Sequence, residues 1–430
     1  MQTRPQPEDG IDHSARPVAT AAAQAAAAAA ARGSYGKLVA YLSSRTRDVA
    51  AAEDALSAAF EAALRDWPEH GVPLSPEAWL MTAARRALID AARRRKTRDD
   101  AAADLLLIAD IATDADARRA IPDDRLLLMF ACAHPAIERS VRAPLMLQTI
   151  LGFDAAAIGS AFLVAPATMG QRLVRAKAKI KLAGIPFRLP EHDDLAQRLD
   201  SVLEAIYAAF TEGWSDPGGA DARRGNLSEE GIWLGELLAL LLPDEPEALG
   251  LLALMLHAQA RRAARRDAHG AYVPLAEQDT ALWDAQLIDQ AEALLLHASK
   301  RGAIGRFQLE AAVQSAHGVR RRSGRADWAA IVQLYDALEA LTGSPVVAIN
   351  RAVAVAELRG AAAGLAALDA VASDPRLSAY QPYWAARAAL LAGSGERSAA
   401  DDAYRRAIGL EADPAVRRFL QQRQAALRER

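Results

Sequence analysis

Apolar residues return at every third or fourth position along most of this chain, and no stretch alternates β-branched with polar residues, so the pattern predicts an all-α protein. Ser75–Arg98 is a clear case. Ser75 is placed to cap, Pro76 suits a first turn, and Glu77 suits the positive end of a helix. Leu80, Ala83, Ala84, Ala87, Leu88 and Ala91 form an i, i+3, i+4 stripe, with Thr82, Arg86, Asp90 and Arg93 on the other side. A second case has the form of a helix-turn-helix. Phe153–Leu163 predicts a short helix burying Ile158 and Phe162, and Val164, Ala165 and Pro166 make the turn. Ala167–Leu182 then predicts a longer helix with Met169, Leu173 and Ile180 inward. The alanine run Ala25–Ala31 reads as the start of a helix.

The same pattern divides the chain into five parts: a tail and helix start (1–32), a compact helical domain (33–98), an acidic linker rich in Ala and Asp (99–123), the helix-turn-helix domain (124–190) and a larger helical array (191–430). Pro186 and Pro190 stop helix growth at the last boundary. Near the C-terminal end, Ala352–Asp369 and Trp384–Leu410 each read as helix, Gly-containing turn, helix. Their turns, at Gly360 and Gly393–Gly395, lie about 34 residues apart. Trp384, Leu390, Gly393, Ala403, Tyr404, Ala407 and Pro414 approach a tetratricopeptide pattern, with an ordinary helical hairpin as the alternative.

Composition narrows the setting. With 430 residues, 52% of them hydrophobic, the chain can bury several cores. A single cysteine, Cys132, excludes an intrachain disulfide framework and a multi-cysteine zinc site, so a reducing cytoplasm is the expected location. No apolar run approaches the ~18 residues that would span a membrane. Met1–Pro17 is polar and lacks the charged-then-apolar order of a signal peptide. The net charge of −3 conceals an asymmetry: +3 over residues 1–98, −6 over 99–124, +7 over 125–190 and −7 over the remainder.

Two basic blocks flanking an acidic strap point to phosphate-bearing partners. Residues 85–98 hold seven cations (Arg85, Arg86, Arg93, Arg94, Arg95, Lys96, Arg98) against one acid, although a solvated helix face is the plainer reading of that segment alone. The second helix of the helix-turn-helix carries Thr168, Gln171, Arg172, Arg175, Lys177, Lys179 and Lys181 with no acid among them. In the geometry of that motif Thr168, Gln171 and Arg172 would read base edges, while Arg175, Lys177 and Lys179 would hold phosphates. Enzymatic readings are weaker. Asp99, Asp100 and Asp104 lack the second acidic motif of a magnesium-pyrophosphate site. Cys132 and His134 stand two apart and face away from each other on a helix, and His257, His269, His297 and His317 show no metal-ligand spacing. No enzyme activity, metal or cofactor is expected.

Several segments resemble one family. Trp79-Leu80-Met81-Thr82-Ala83-Ala84-Arg85-Arg86, with Ile89, Asp90 and the basic run, is similar to the −10 reading helix of extracytoplasmic-function sigma factors of bacterial RNA polymerase. Ala52-Glu53-Asp54-Ala55-Leu56 with Phe60, Ala63, Leu64 and Trp67 resembles the preceding, polymerase-binding helix, and Leu163–Ala176 resembles the −35 reader. Cys132-Ala133-His134-Pro135, Gln171–Lys177, Gly184–Arg188, Leu242–Glu247, Trp328, Tyr335–Leu338 and Ser344–Val347 resemble the subgroup with a tetratricopeptide-like C-terminal extension. The likeness runs from about Tyr35 to the C-terminal end.

It implies a factor that binds core RNA polymerase through Asp54, Phe60, Leu64 and Trp67 and promoter DNA through two sites. Thr82, Arg85, Arg86, Asp90, Arg93 and Arg94 would serve the −10 element, and Thr168, Gln171, Arg172, Arg175, Lys177 and Lys179 the −35 element. The loop Trp67–Ser75 would capture an unstacked base, with Trp67 and Trp79 as stacking faces or, more simply, as core. The linker 99–123 would thread the polymerase's RNA channel or, as readily, be a plain solvated linker, and the segment Trp214–Asn226 would contact polymerase or a regulator. The C-terminal array would act as a fused regulatory domain, with a protein regulator as its partner, and no membrane is involved. The chain departs from the family at Ser57 and Ala58, where a Gln and an acid are usual, and at Leu163, where a Gly is usual. The competing reading is a helix-turn-helix regulator whose array senses a ligand or a protein. Such a regulator has no need of Glu53–Trp67 together with Ser75–Arg98.

Overall fold

In the computed structural model the alanine run does not begin a helix but lies inside one: α1 is continuous from Ala15 to Thr46. Alanine has the strongest intrinsic helix preference, and Ala23 and Ala27, one turn apart, are buried. The structure describes residues 15–95, 121–162, 164–190, 192–214 and 227–429. Lys96, Arg98, most of the acidic linker, Leu163 and most of Trp214–Asn226 lie outside the described residues, as does the side chain of Arg95.

Helix α2 (Val49–His70) starts where Asp48 Oδ1 accepts the Ala51 N–H at 3.0 Å and stops at Gly71, whose φ of +87° suits glycine. It packs with α3 (Pro76–Arg95) on α1 around Leu38, Tyr41, Leu42, Leu56, Trp67 and Leu80, all buried. The inward face of α3 is Leu80, Met81, Ala84, Leu88 and Ala92, with Ala83, Ala87 and Ala91 only half-buried. The expected stripe is thus rotated slightly, because Met81 has more apolar surface to hide than an alanine.

Helices α4 (Arg125–Cys132) and α5 (Arg139–Leu151) return to α1. Ser44 Oγ donates to Asp124 Oδ2 at 2.6 Å and fixes the chain as it enters α4. The α1–α5 crossing is close at Gly36, where a Cβ would stand 2.1 Å from the Ile150 carbonyl oxygen. Gly36→Ala is therefore expected to destabilise this region by about 1–3 kcal/mol or more, read as a lower urea midpoint.

The helix-turn-helix follows as α6 (Ala155–Ala161) and α7 (Pro166–Leu182). Asp154 Oδ1 accepts the Ala157 N–H at 2.7 Å, so α6 begins later than Phe153. Ile158, Met169, Leu173, Ala176 and Ile180 are buried between the helices and their neighbours, and Phe162 is half-buried.

By its contacts the chain forms two units, Met1–Ala209 and Phe210–Arg430, divided within α8 (His192–Trp214). The second unit contains α9 (Leu227–Leu241), α10 (Pro246–Ala260), α11 (Ala285–Ser299) and α12 (Arg306–Gly318). It continues through α13 (Arg320–Ser323), α14 (Trp328–Thr342), α15 (Pro345–Arg359) and α16 (Ala361–Asp369). Its last helices are α17 (Gln381–Gly393), α18 (Arg397–Leu410) and α19 (Pro414–Glu429). Helix α10 is buried almost all round against α9, α11 and α12. Its Glu247 reaches across to accept the Phe307 and Gln308 N–H groups at 2.9 and 3.1 Å, capping α12 from outside.

From α14 onward each helix packs on the next. Gly393 allows α17 to approach α16, where a Cβ would meet that of Ala361 at 2.8 Å. Both expected helix–Gly–helix units are present as helical hairpins, with Ala403, Tyr404 and Ala407 buried in the second. The all-α expectation holds. Among the described residues the only extended pairing is an isolated bridge between Arg266 and Tyr272.

Candidate nucleic-acid interface

The basic side of α3 is set by its inward stripe. With Leu80, Ala84 and Leu88 buried, Thr82, Arg86, Asp90, Arg93 and Arg94 all point to solvent. Asp90 stands 3.9 Å from Arg93 and tempers that cation only weakly. Arg85 departs from the expected DNA-facing set. Its guanidinium turns inward, donates to the Tyr41 hydroxyl at 2.8 Å and lies 5.5 Å from the centre of the Tyr41 ring, which Arg45 approaches at 3.6 Å. Position 85 neighbours the buried Ala84 and Leu88, so the long side chain follows the apolar surface inward.

The loop before α3 is apolar and exposed: Val72 is 41% accessible and Leu74 wholly so. It adjoins a solvent-facing stripe of α2 formed by Asp54, Ser57, Ala58, Glu61, Leu64 and Arg65. Of the four expected polymerase contacts, Asp54 and Leu64 are exposed and Phe60 is half-buried. Trp67 is 1% accessible and meets the Trp79 ring edge-to-face at 5.5 Å. It is core, and neither a polymerase partner nor a base can reach it in this packing.

On α7, Thr168, Gln171, Arg175 and Lys179 form an exposed row free of acids, and Arg172 is half-buried beside it. Lys177 is not in that row. Leu173, Ala176 and Ile180 face inward, and a residue four after Leu173 and three before Ile180 must face the same way. Its ammonium pairs with Glu53 of α2 at 2.5 Å, both side chains being about nine-tenths buried. Burial pushes the Glu53 carboxyl above the usual carboxylate range, against the pull of Lys177. A second tie runs from Lys181 to Asp48 at 2.7 Å, so one carboxylate both caps α2 and holds α7. Helices α2 and α7 are thus joined by two ion pairs, and Lys177 does not reach solvent phosphates in this arrangement. Sequence reading missed the pairing, although Glu53 among buried Ala52, Leu56 and Ala63 signals that a cation must come from elsewhere.

The thiol near this pair has no nucleophilic character. Cys132 is fully buried, its Sγ lies 3.5 Å from Thr149 Oγ1, and desolvation pushes its pKa up to about 12. Among the described residues no group of histidines, cysteines or carboxylates could hold a metal ion. No described helix is long and apolar enough to cross a membrane.

Comparison with known proteins places the α1–α3 region in a family. Residues 32–98 match Sigma-70 region 2, and residues 198–299 match a family of unknown function, DUF6596. Over 371 residues the chain is 39% identical to "Uncharacterized protein R00370" of Rhizobium meliloti (strain 1021), covering 85% of this chain and 87% of that protein. No solved structure matches the chain. The region 2 match bears out the sigma-70 part of the resemblance, which the tryptophan-to-arginine run of α3 carries. The chain belongs to the same family as the Rhizobium meliloti protein, and its residues 32–98 are a Sigma-70 region 2 domain.

Proposed function

We propose that this chain is a sigma factor of the extracytoplasmic-function type, which binds core RNA polymerase and directs initiation at its own promoters. The observation that carries the reading is the Sigma-70 region 2 domain itself, whose last helix turns Thr82, Arg86, Arg93 and Arg94 to solvent beside an exposed loop. In this reading residues 33–98 read the −10 element and 124–190 the −35 element, joined by the linker 99–123. Residues 191–430 form a tetratricopeptide-like regulatory array that receives a protein regulator, and the protein works in the cytoplasm. The stripe from Asp54 to Leu64 docks on polymerase. Arg86, Arg93 and Arg94 grip the backbone of the −10 strand, and the loop ending at Leu74 receives an extruded base. Thr168, Gln171 and Arg172 meet base edges while Arg175 and Lys179 hold phosphates.

The ion pairs between α2 and α7 add a condition. Elements centred ~25 base pairs apart lie ~85 Å apart along a duplex at ~3.4 Å per pair. Two helices joined at 2.5 Å cannot reach both at once. Productive binding therefore separates α7 from α2, which frees Lys177 to join Arg175 and Lys179 on the phosphates. Glu53 and Asp48 hold the place of those phosphates until then. No metal or cofactor is required.

Mixing the full chain with purified core RNA polymerase tests the reading by size-exclusion chromatography. A complex with one chain per polymerase is expected. A chain that binds duplex DNA but never core polymerase belongs instead to the helix-turn-helix regulators.

A further inference from the structure

Within the second unit, Pro274–Ala276 and Trp283 on one side and α12, α13, α14 and α15 on the other enclose a cavity of about 580 Å³. That volume falls in the range of sites for small organic molecules. Its walls are unusually aromatic for a chain with 5% aromatic residues: Trp283, Trp328 and Tyr335 line it, with Leu275 and Val353. Packing fixes these rings. Arg320 anchors the Pro274–Gln278 turn by donating to the carbonyls of Leu275, Ala276 and Gln278, and its guanidinium lies 5.3 Å from the Trp283 ring centre. Arg261 approaches the same ring at 5.8 Å. Trp328 is held edge-to-face by His317 at 5.5 Å.

Polar side chains accompany the rings. His317 and Tyr335 stand half-buried in the cavity wall. Charge narrows the choice of ligand. Arg320 and Arg325 line the cavity against one carboxylate, Glu357 at its exposed edge. Behind the wall Arg261 donates to the His257 carbonyl and the Gln314 side chain, and among the described residues no acid stands in ion-pair range. Burial and the nearby Arg261 and Arg320 push His317 down to about 4, so at neutral pH it is an uncharged imidazole in a positive field.

We propose that this cavity binds a small aromatic carboxylate, its ring between Trp283, Trp328 and Tyr335 and its carboxylate toward Arg320, Arg325 and His317. The site is independent of the DNA- and polymerase-binding surfaces and does not rest on the sigma reading. Isothermal titration of the full chain with naphthalene-1-acetate, 2-(1-naphthyl)ethanol and 1-naphthylmethylamine tests it, since the three share a ring and differ in charge. The acid is expected to bind at least about tenfold more tightly than the alcohol, with the amine weakest. Val353→Trp, which fills the cavity from an exposed position, should abolish binding of all three. Arg325→Gln, at an exposed residue whose side chain makes no hydrogen bond or ion pair among the described residues, should weaken the acid about tenfold and leave the alcohol unchanged. Equal affinity for the three probes, preference for the amine, no binding of the acid at millimolar concentration, or full binding by a folded Val353→Trp chain would each overturn the proposal.

Discussion

Lys177→Met is expected to loosen the packing of α7 on α2 by about 3–5 kcal/mol at pH 8, because it strands the Glu53 carboxylate in a buried site. The sign of the pH dependence follows from Glu53. Its folded pKa lies above the ordinary carboxylate value, so the folded state holds that proton more tightly than the unfolded chain does. The contribution of Glu53 to stability is fully present below its unfolded pKa and is lost as pH rises through its folded pKa. Lys177 opposes the upward shift, and removing it moves the folded pKa higher still. The defect of Lys177→Met should therefore shrink as pH falls from 8 toward 5, where Glu53 takes up its proton. Hydrogen exchange of α2 and α7 amides at the two pH values checks this. Pairing Lys177→Met with Glu53→Gln should restore most of the protection at pH 8, since a neutral amide tolerates the site better than a lone charge. An equal defect at both pH values would mean that Lys177 acts through the packing of its stem.

Replacing Arg172, Arg175 and Lys179 together by alanine is expected to cut promoter-dependent transcription about a hundredfold or more while leaving the fold intact. Arg175 and Lys179 are exposed and Arg172 half-buried, so truncating them removes little packing. Each lost charge-assisted contact is worth about 1.5 kcal/mol, so three approach a thousandfold. Each lost phosphate neutralisation also lowers the slope of log affinity against log salt by about 0.9. Gln171→Ala should instead leave the salt slope unchanged and relax sequence preference at one position. A triple variant with an unchanged salt slope would remove α7 from the DNA-contacting surface.

How much of this was legible in the sequence depends on whether a residue's environment is local. The helices of the first unit, the turn before Pro166 and the hairpins at Gly360 and Gly393 follow from spacing and caps within a few residues. The outward rows on α3 and α7 were legible for the same reason, since an i, i+3, i+4 apolar stripe fixes which side faces water. Arg85, Trp67 and Lys177 came out differently because each one's partner is distant in the chain. Arg85 meets Tyr41, Trp67 meets Trp79 across the α2–α3 turn, and Lys177 meets Glu53. Position 177 falls on the buried stripe, but a lysine's charge by itself signals exposure. The aromatic cavity was out of reach for a similar reason, since Trp283, His317 on α12 and the α14 pair Trp328 and Tyr335 converge from three parts of the chain. The likeness of Trp79–Arg86 to a −10 reader holds at the level of region 2, because those residues form one continuous helix whose orientation the sequence encodes.

The claim that this chain initiates transcription is tested most directly by run-off transcription with purified core RNA polymerase on promoter fragments recovered after its controlled expression. The full chain should yield discrete transcripts from those fragments and none from unrelated DNA, with the Arg172, Arg175 and Lys179 triple variant silent on both. Core polymerase that forms no transcript with this chain, while the chain still binds the same fragments as duplex, would contradict the sigma reading.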